Sequence, residues 1–385
     1  MKNIYLDYAS TTPLDPKVKL LMDSYLTENF GNPSSIHSFG RKSKVDLEIY
    51  RQTIAEIIGA EPSEINFTSG GSESDSQAII GTALASKRKS DKNHLIISSI
   101  EHHAVLHSAE YLKNLGFEIS IVNVDSNGFV HVDELKKLIN SKTLLISIMF
   151  VNNETGIIQN IIELGNIAKE NKVLFHTDAV QAFGKIKIST KDLPIDIMSI
   201  SSHKIYGPKG IGVTFIRKGI QVDSLIHGGS QERGKRAGTE SLSLIAGFVE
   251  AAKICYSQLE KESSQIKKLQ NELIKKLNPI IKYIIINSDI KNSIPNILNI
   301  SFDSQKINID GESLLLNLDL QGFALSNGSA CSSGSIKPSH VLLAMGRSSQ
   351  TALAALRISI GRFTTIDEIK DFASTLIRIV EKIRK

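Results

Sequence analysis

Between about residues 65 and 218, short β-rich runs alternate with amphipathic stretches, and that alternation leaves few folds open to the chain. The runs read "INFTS", "HLIISSI", "EISIVNV", "TLLISIMFVN", "VLFHTDAV", "IDIMSISS" and "GVTFIRK". Between them lie "SESDSQAIIGTALASKRKS", "AVLHSAEYLKNLG", "VDELKKLIN" and "IIELGNIAKENK". Near-continuous apolar runs predict strands buried on both faces, the environment of a parallel sheet covered by helices. The expected class is α/β, a mainly parallel seven-stranded sheet with helices on both faces. Ligands of such sheets lie beyond the carboxyl ends of the strands, so function is sought there.

From about 240 to 278 the pattern is one long helix able to connect two domains, and beyond it the order becomes α+β. "PNILNISF" reads as a strand, "GESLLLNLDL" and "SHVLLAMG" as helices, and "LRISI" as a strand. The last helix begins at "TTIDE", where Thr365 and Glu368 have capping-box spacing, and its expected buried stripe is Ile369, Phe372, Leu376, Ile379 and Ile383. A length of 385 residues accommodates this division. Residues 16–255 are expected to form a large ligand-binding domain, 256–385 a smaller one, and 1–15 a segment joining the small domain. No internal repeat or low-complexity tract interrupts the order.

The net charge of +5 is spread over lysine-rich helical faces such as "QIKKLQNELIKKLN", a pattern of solvated surfaces that gives no reason to expect direct nucleic-acid binding. No run approaches the ~18 apolar residues of a membrane span, and "MKNIYLDYAS" has no signal-peptide core. Two cysteines make no disulfide framework, which points to a reducing, cytoplasmic compartment. Cys255 falls in a helical pattern. Cys331, in "LSNGSACSSGSIKPSH", has Gly and Ser around it and nothing apolar to pack on, so its placement suits reach and reactivity. The expected loop spans about 325–338.

Several stretches carry candidate chemistry, each with a plainer reading beside it. The turn "TSGGSES" follows a strand and opens a helix, so N–H groups near Gly70, Gly71 and Ser72 can cradle an anion, or the glycines can simply permit the turn. It is neither a dinucleotide nor a Walker loop. In "VLFHTDAVQ", His176 and Asp178 share a side of the strand, and Asp178 can hold a cationic heteroaromatic nitrogen or cap a helix. Lys204, at the end of the next strand, suits a Schiff-base lysine made partly neutral by desolvation, although lysines at turns are commonly solvated. His102 is expected at another strand's end, able to lie on a planar ring or move protons near pH 7. His103 and His107 have i,i+4 spacing, but without a third ligand a solvated face is expected and no intrinsic metal site. "HGGSQERGKRAGTES" offers Thr239 as a phosphate contact or is a mobile basic loop. Arg357, within a strand, either grips a substrate carboxylate or makes an internal salt bridge.

Taken together, "YLDYASTTPLDP", "GNPSSIHSFGR", "FTSGGSESD", "EHHAVL", "VNNETG", "HTDAVQ", "SSHKIYGPKG", "RAGTES", "NGSACSSGS" and "LRISIGRFTT" resemble, in order and over nearly the whole chain, the cysteine desulfurases of the fold-type I, class V aminotransferase superfamily. The resemblance implies pyridoxal 5'-phosphate bound covalently to Lys204, with Asp178 on the pyridine nitrogen and His102 stacked on the ring. It implies that Asn153 and Gln181 touch ring substituents and that Gly71, Ser72, Ser201 and His203 surround the phosphate. Thr239 would reach the phosphate of a neighbouring subunit, which carries a homodimer with it; Arg357 and Asn32 would hold the substrate carboxylate.

Cys331 matches the family's nucleophile, implying conversion of L-cysteine to L-alanine with sulfur held on Cys331 as a persulfide. The expected partners are sulfur acceptors such as an iron–sulfur scaffold protein or the tRNA-thiolation machinery, and Cys331 could transiently ligate an iron–sulfur cluster. An ordinary aminotransferase needs no cysteine on such a loop, whereas sulfur transfer needs a nucleophile that enters the site and leaves it. The alternatives are a selenocysteine lyase or another class V aminotransferase, and a catalytically silent relative serving as a structural partner. Ser76 stands where many relatives have Asn, and one branch of the family docks its scaffold through a tail longer than the one that follows the last helix here.

Overall fold

The computed structural model describes residues 3–328 and 337–384, so Cys331 lies outside the described residues. The strands among the described residues are β1 (Ile4–Tyr5), β2 (Ile65–Thr68), β3 (His94–Ser98), β4 (Glu118–Val122), β5 (Thr143–Ser147), β6 (Leu174–Asp178), β7 (Ile197–Ser201), β8 (Gly212–Ile216), β9 (Ile284–Ile286), β10 (Ile297–Phe302), β11 (Phe323–Ala324) and β12 (Ala355–Ser359). All seven runs read from the sequence form one sheet, ordered β2-β8-β7-β6-β5-β3-β4. β8 runs antiparallel to both its neighbours, and the other neighbouring pairs are parallel. Burial explains the near-continuous apolar runs, because every residue of β3, β5, β7 and β8 is buried. A second, antiparallel sheet is ordered β12-β10-β9, and β1 pairs in parallel with β11.

Helices cover these sheets: α1 (Pro16–Thr27), α2 (Ser38–Ile58), α3 (Gly71–Ser76), α4 (Thr82–Lys87), α5 (His103–Asn114), α6 (Val132–Leu138), α7 (Ile161–Glu170), α8 (Leu242–Lys276), α9 (Gly311–Leu320), α10 (His340–Ala344), α11 (Ser349–Leu353) and α12 (Ile366–Arg384). A π-helical turn over Gln77–Gly81 joins α3 to α4. The 35 residues of α8 make a rod about 50 Å long. Its first half, through Cys255, packs in a core with the seven-stranded sheet, and Ile266, Leu269 and Leu273 pack in a second core with β10, β12 and α12. Ile4 and Leu6 belong to this second core, while Tyr8 and Ala9 belong to the first.

The capping box of α12 forms in both directions: Thr365 N–H donates to Glu368 Oε2 at 2.9 Å and Glu368 N–H to Thr365 Oγ1 at 3.3 Å. The expected stripe holds for Ile369, Phe372 and Leu376, then departs. Val380 is fully buried, Ile379 is only partly so, and Ile383 is exposed. A 3.6-residue period carries the buried line from Leu376 to Val380 and turns the following apolar side chains toward solvent.

The Gly- and Arg-rich segment that reads as a mobile basic loop is pinned. Glu232 is buried at φ +46 and takes a two-pronged bond from Arg51, Nη1 to Oε2 at 2.7 Å and Nη2 to Oε1 at 2.9 Å. Phe67 N–H of β2 also donates to Glu232 Oε2. A non-glycine residue in that backbone region costs on the order of 1–3 kcal/mol, so the surrounding bonds must hold it there.

Candidate active site

Beyond the carboxyl ends of β6 and β7 lies a cleft of about 590 Å³. Gly71, Ser72, His102, Asn153, Asp178, Gln181, Ser201, His203, Lys204 and Arg357 all line it. Asn32 and Thr239 do not; both are exposed elsewhere on the chain. Cys331 is outside the described residues, but Asn327 and Gly328, just before it, line the cleft.

Lys204 follows β7 in a short 3₁₀ turn, and its Nζ donates to the main-chain carbonyls of Ala9 and Ser10 at 2.7 and 2.6 Å. Burial lowers its pKa to about 8, helped by the Arg357 guanidinium, so a substantial neutral fraction is present near neutral pH. Asp178 ends β6 and is buried, its Oδ1 accepting from Val180 N–H at 2.8 Å. Burial raises its pKa to about 6. Beneath it, Asp75 of α3 is pushed well up, first by burial and then by Asp178. Its Oδ1 lies 3.7 Å from His176 Nε2. His176 does not line the cleft; it is held neutral by burial between the Ser147 and Ser199 hydroxyls.

His102 sits four residues past β3 rather than at its end, as the N-cap of α5, with Nδ1 accepting from Ala104 N–H at 3.1 Å. Burial, then Lys204, lowers its pKa to about 4. The neutral ring therefore carries its proton on Nε2, which makes that nitrogen a donor. The His103 and His107 rings stack 5.2 Å apart and His340 lies 5.0 Å from His103. Among the described residues, no group of three or more His, Cys, Asp or Glu is placed to hold a metal ion.

The opposite end of the cleft suits an anion. Gly71 begins α3, and a Cβ there would stand 2.8 Å from Val180 Cγ2, so only glycine lets this turn approach so closely. A neighbouring recess shares Gly71, Ser72, Ser201 and His203 with the cleft, and Lys209 lines it too. Helix N-terminal N–H groups, two hydroxyls and a ring nitrogen make a phosphate-sized donor set. Ser76, one turn on, takes a bond from Ser108 Oγ at 3.2 Å.

Arg357, in β12, makes the internal ion pair that was one of its two readings, Nη2 to Asp7 Oδ1 at 2.9 Å. It also donates to Ser10 Oγ and to the Asn153 carbonyl, and its buried Nε has no partner among the described residues. An unpaired donor on a buried guanidinium facing a cleft can take a carboxylate oxygen. Sequence reasoning missed the carbonyls of Ala9 and Ser10, which have no side-chain signature, and Asp75. The signal for Asp75 was its spacing: it stands three and four residues before the fully buried Ala78 and Ile79.

A buried carboxylate, a partly neutral lysine, a glycine turn with anion-sized donors and a buried guanidinium thus converge in one cleft. A family model described as "Aminotransferase class-V" matches residues 4–372. The chain is 46% identical over 383 residues to "Cysteine desulfurase IscS" of Dictyoglomus turgidum, covering 100% of this chain and 96% of that protein. It is 42% identical to "Putative cysteine desulfurase IscS 1" of Bacillus subtilis, with 100% of each covered. Among solved structures, "NIFS-LIKE PROTEIN" matches with a TM-score of 0.91 and 37% identity, over 99% of this chain and 100% of that one. "SspA in complex with cysteine" matches with a TM-score of 0.82 and 36% identity, over 94% and 100%.

Proposed function

The chain belongs to the class-V aminotransferase family and is a cysteine desulfurase, and from that premise we propose how its own residues hold pyridoxal 5'-phosphate and cysteine. The observation that carries the proposal is the convergence of Lys204, Asp178, the Gly71–Ser72 turn and Arg357 on one cleft. Relatives named as cysteine desulfurases favour this reading over a selenocysteine lyase.

Lys204 would hold the cofactor covalently, Asp178 would pair with its ring nitrogen, and Ser72, Ser201, His203 and the α3 N-terminus would take its phosphate. His102 would lie against the ring, and Asn153 and Gln181 would contact its substituents. When bound, the group supplies an electron sink conjugated to the substrate's Cα. Arg357 holds the substrate carboxylate. Lys204 Nζ, neutral once its proton is lost, takes the Cα proton; His102 offers Nε2–H, a donor, and is not the base. Cys331, as thiolate, attacks the substrate sulfur. A sulfur–sulfur bond forms as the carbon–sulfur bond breaks, the electron pair of the broken bond goes to Cβ, which takes a proton, and Cα regains the proton it gave to Lys204, so that the substrate leaves as alanine. Sulfur stays on Cys331 for an acceptor protein of iron–sulfur assembly or tRNA thiolation.

The division of labour we propose follows the two main cores. Residues 16–255 hold the cofactor, and 256–385 with the segment 1–15 present Arg357 and the nucleophile. Asn32 and Thr239 lie outside their own chain's cleft, and Leu20, Leu26, Phe30, Ile36 and Phe39 near Asn32 are exposed apolar side chains, which supports a homodimer in which each copy completes the other's site. Among the described residues no helix is long and apolar enough to cross a membrane. We place the protein in the cytoplasm. Purified protein incubated with pyridoxal phosphate and cysteine should give alanine and persulfide sulfur in equal amounts; no alanine under these conditions would reject the reading.

Asp178 gives a pH signature. Its raised folded pKa means that the contribution of this group to the stability of the cofactor-free protein is fully present below about 3.8 and is lost as pH rises through about 6, where the buried carboxyl ionises. A cation on the ring nitrogen relieves that cost. The rise in melting temperature on adding pyridoxal phosphate is therefore expected to grow between about pH 4 and 6 in the wild type and to stay flat over that window in Asp178→Asn.

A further inference from the structure

Gln181 is engaged at both ends of its amide. Nε2 donates to the Ala9 carbonyl at 2.8 Å, and Oε1 accepts from Lys185 Nζ at 2.5 Å. The same Ala9 carbonyl accepts from Lys204 Nζ, so a continuous chain runs from Lys185 through Gln181 and Ala9 to the lysine of the active site. An amide can be turned end for end without changing its shape, and only its neighbours decide which end faces where. Here the neighbours have opposite polarity. Lys185 in its ammonium form only donates and a carbonyl only accepts, so in that form the reversed amide would set NH₂ against NH₃⁺ and C=O against C=O.

The backbone brings this about on purpose-built terms. Gly184 adopts φ +72, and a Cβ there would stand 2.7 Å from Ile205 Cγ2, so the turn that returns Lys185 beneath Gln181 needs glycine. Lys185 lines a small cavity behind the cleft with Tyr8, Ala9, Lys204 and Cys255. Placing a second lysine there is costly. Burial first, and Lys204 second, lower its pKa to about 7. A lysine kept in such surroundings needs a role beyond solvation.

We propose that Lys185 is a positioning residue that fixes the orientation of the Gln181 amide, so that Gln181 presents its remaining Nε2–H, and never its carbonyl, to the ring oxygen of the bound cofactor. The proposal rests on the cofactor assignment made above. One Nε2 hydrogen is taken by Ala9, and the other is the one polar hydrogen the Gln181 side chain has left to offer. A donor at the ring oxygen stabilises its anionic form and lowers the pH at which the lysine-bound cofactor loses its proton. Without Lys185 the reversed amide is opposed by the Ala9 carbonyl alone, and that stabilisation weakens.

The test is a pH titration of the visible absorbance of the full-length protein loaded with pyridoxal phosphate, without substrate. Lys185→Met is expected to raise the midpoint by about one pH unit, a tenfold change in the acid dissociation constant. Gln181→Met is expected to raise it similarly, and the double variant to move it no further than either single one. Lys185→Arg, which keeps a donor for Oε1, is expected to hold the wild-type midpoint. An unchanged midpoint in Lys185→Met would overturn the proposal, and additive shifts in the double variant would overturn it in favour of a pure charge effect. Should Lys185→Met fail to fold, Lys185→Arg and Lys185→Gln are compared instead, with equal midpoints counting against the proposal. A wild-type protein that shows no visible band after pyridoxal phosphate is added would overturn the cofactor assignment itself.

Discussion

Cys331→Ser is expected to abolish alanine formation from cysteine, by about 10³-fold or more, while leaving the visible absorbance of the bound cofactor unchanged. A hydroxyl at that position is a far weaker nucleophile toward sulfur than a thiolate. Nothing else in the described site replaces it. Cys255, the other cysteine, is buried in α8 beside Ile205 and Arg362, and burial pushes its thiol up to about 12. Labelling of native protein with a thiol reagent should therefore modify Cys331 alone, and alanine formation surviving in Cys331→Ser would show that the sulfur is taken elsewhere.

Lys204→Ala removes two functions at once, the covalent hold on the cofactor and the base that takes the Cα proton. The visible band is expected not to survive gel filtration, and alanine formation is expected to fall by about 10⁴-fold or more. Lys204→Arg should do no better. Its charge can still bond the Ala9 and Ser10 carbonyls, but a guanidinium is protonated at every accessible pH and cannot serve as nucleophile or base. A band that survives gel filtration in either variant would mean that another group carries the cofactor.

The sheet was legible because burial on both faces writes itself into the sequence as continuous apolar runs, and each run became a strand, although the edge strand β4 is largely open to solvent. The strand ends were legible with it, which is why Asp178 and Lys204 were found by position as well as by type. His102 was placed at a strand's end when it caps a helix, because the four-residue connection after Ser98 carries no periodicity to mark it. Asn32 came only from resemblance and Thr239 from its place before the long helix, and a single chain brings neither to its cleft. Glu232 was hidden for a different reason. A buried carboxylate in a Gly- and Arg-rich stretch looks solvated until Arg51, 181 residues away, is known to face it.

The stitching of the first dozen residues to the far end of the chain also governs when the enzyme can come into being. Ile4 pairs with Phe323, Asp7 reaches Arg357, and Ala9 N–H is held by Ser359 Oγ at 2.9 Å, 350 positions away. The carbonyls that hold Lys204 are thus fixed by a strand made near the end of synthesis. A nascent chain on the ribosome can assemble its seven-stranded sheet long before this, but its leading segment has no partner until β11 and β12 have emerged. Prematurely terminated chains would carry the sheet without the braced lysine, so this long-range stitching reserves a finished site for finished polypeptides.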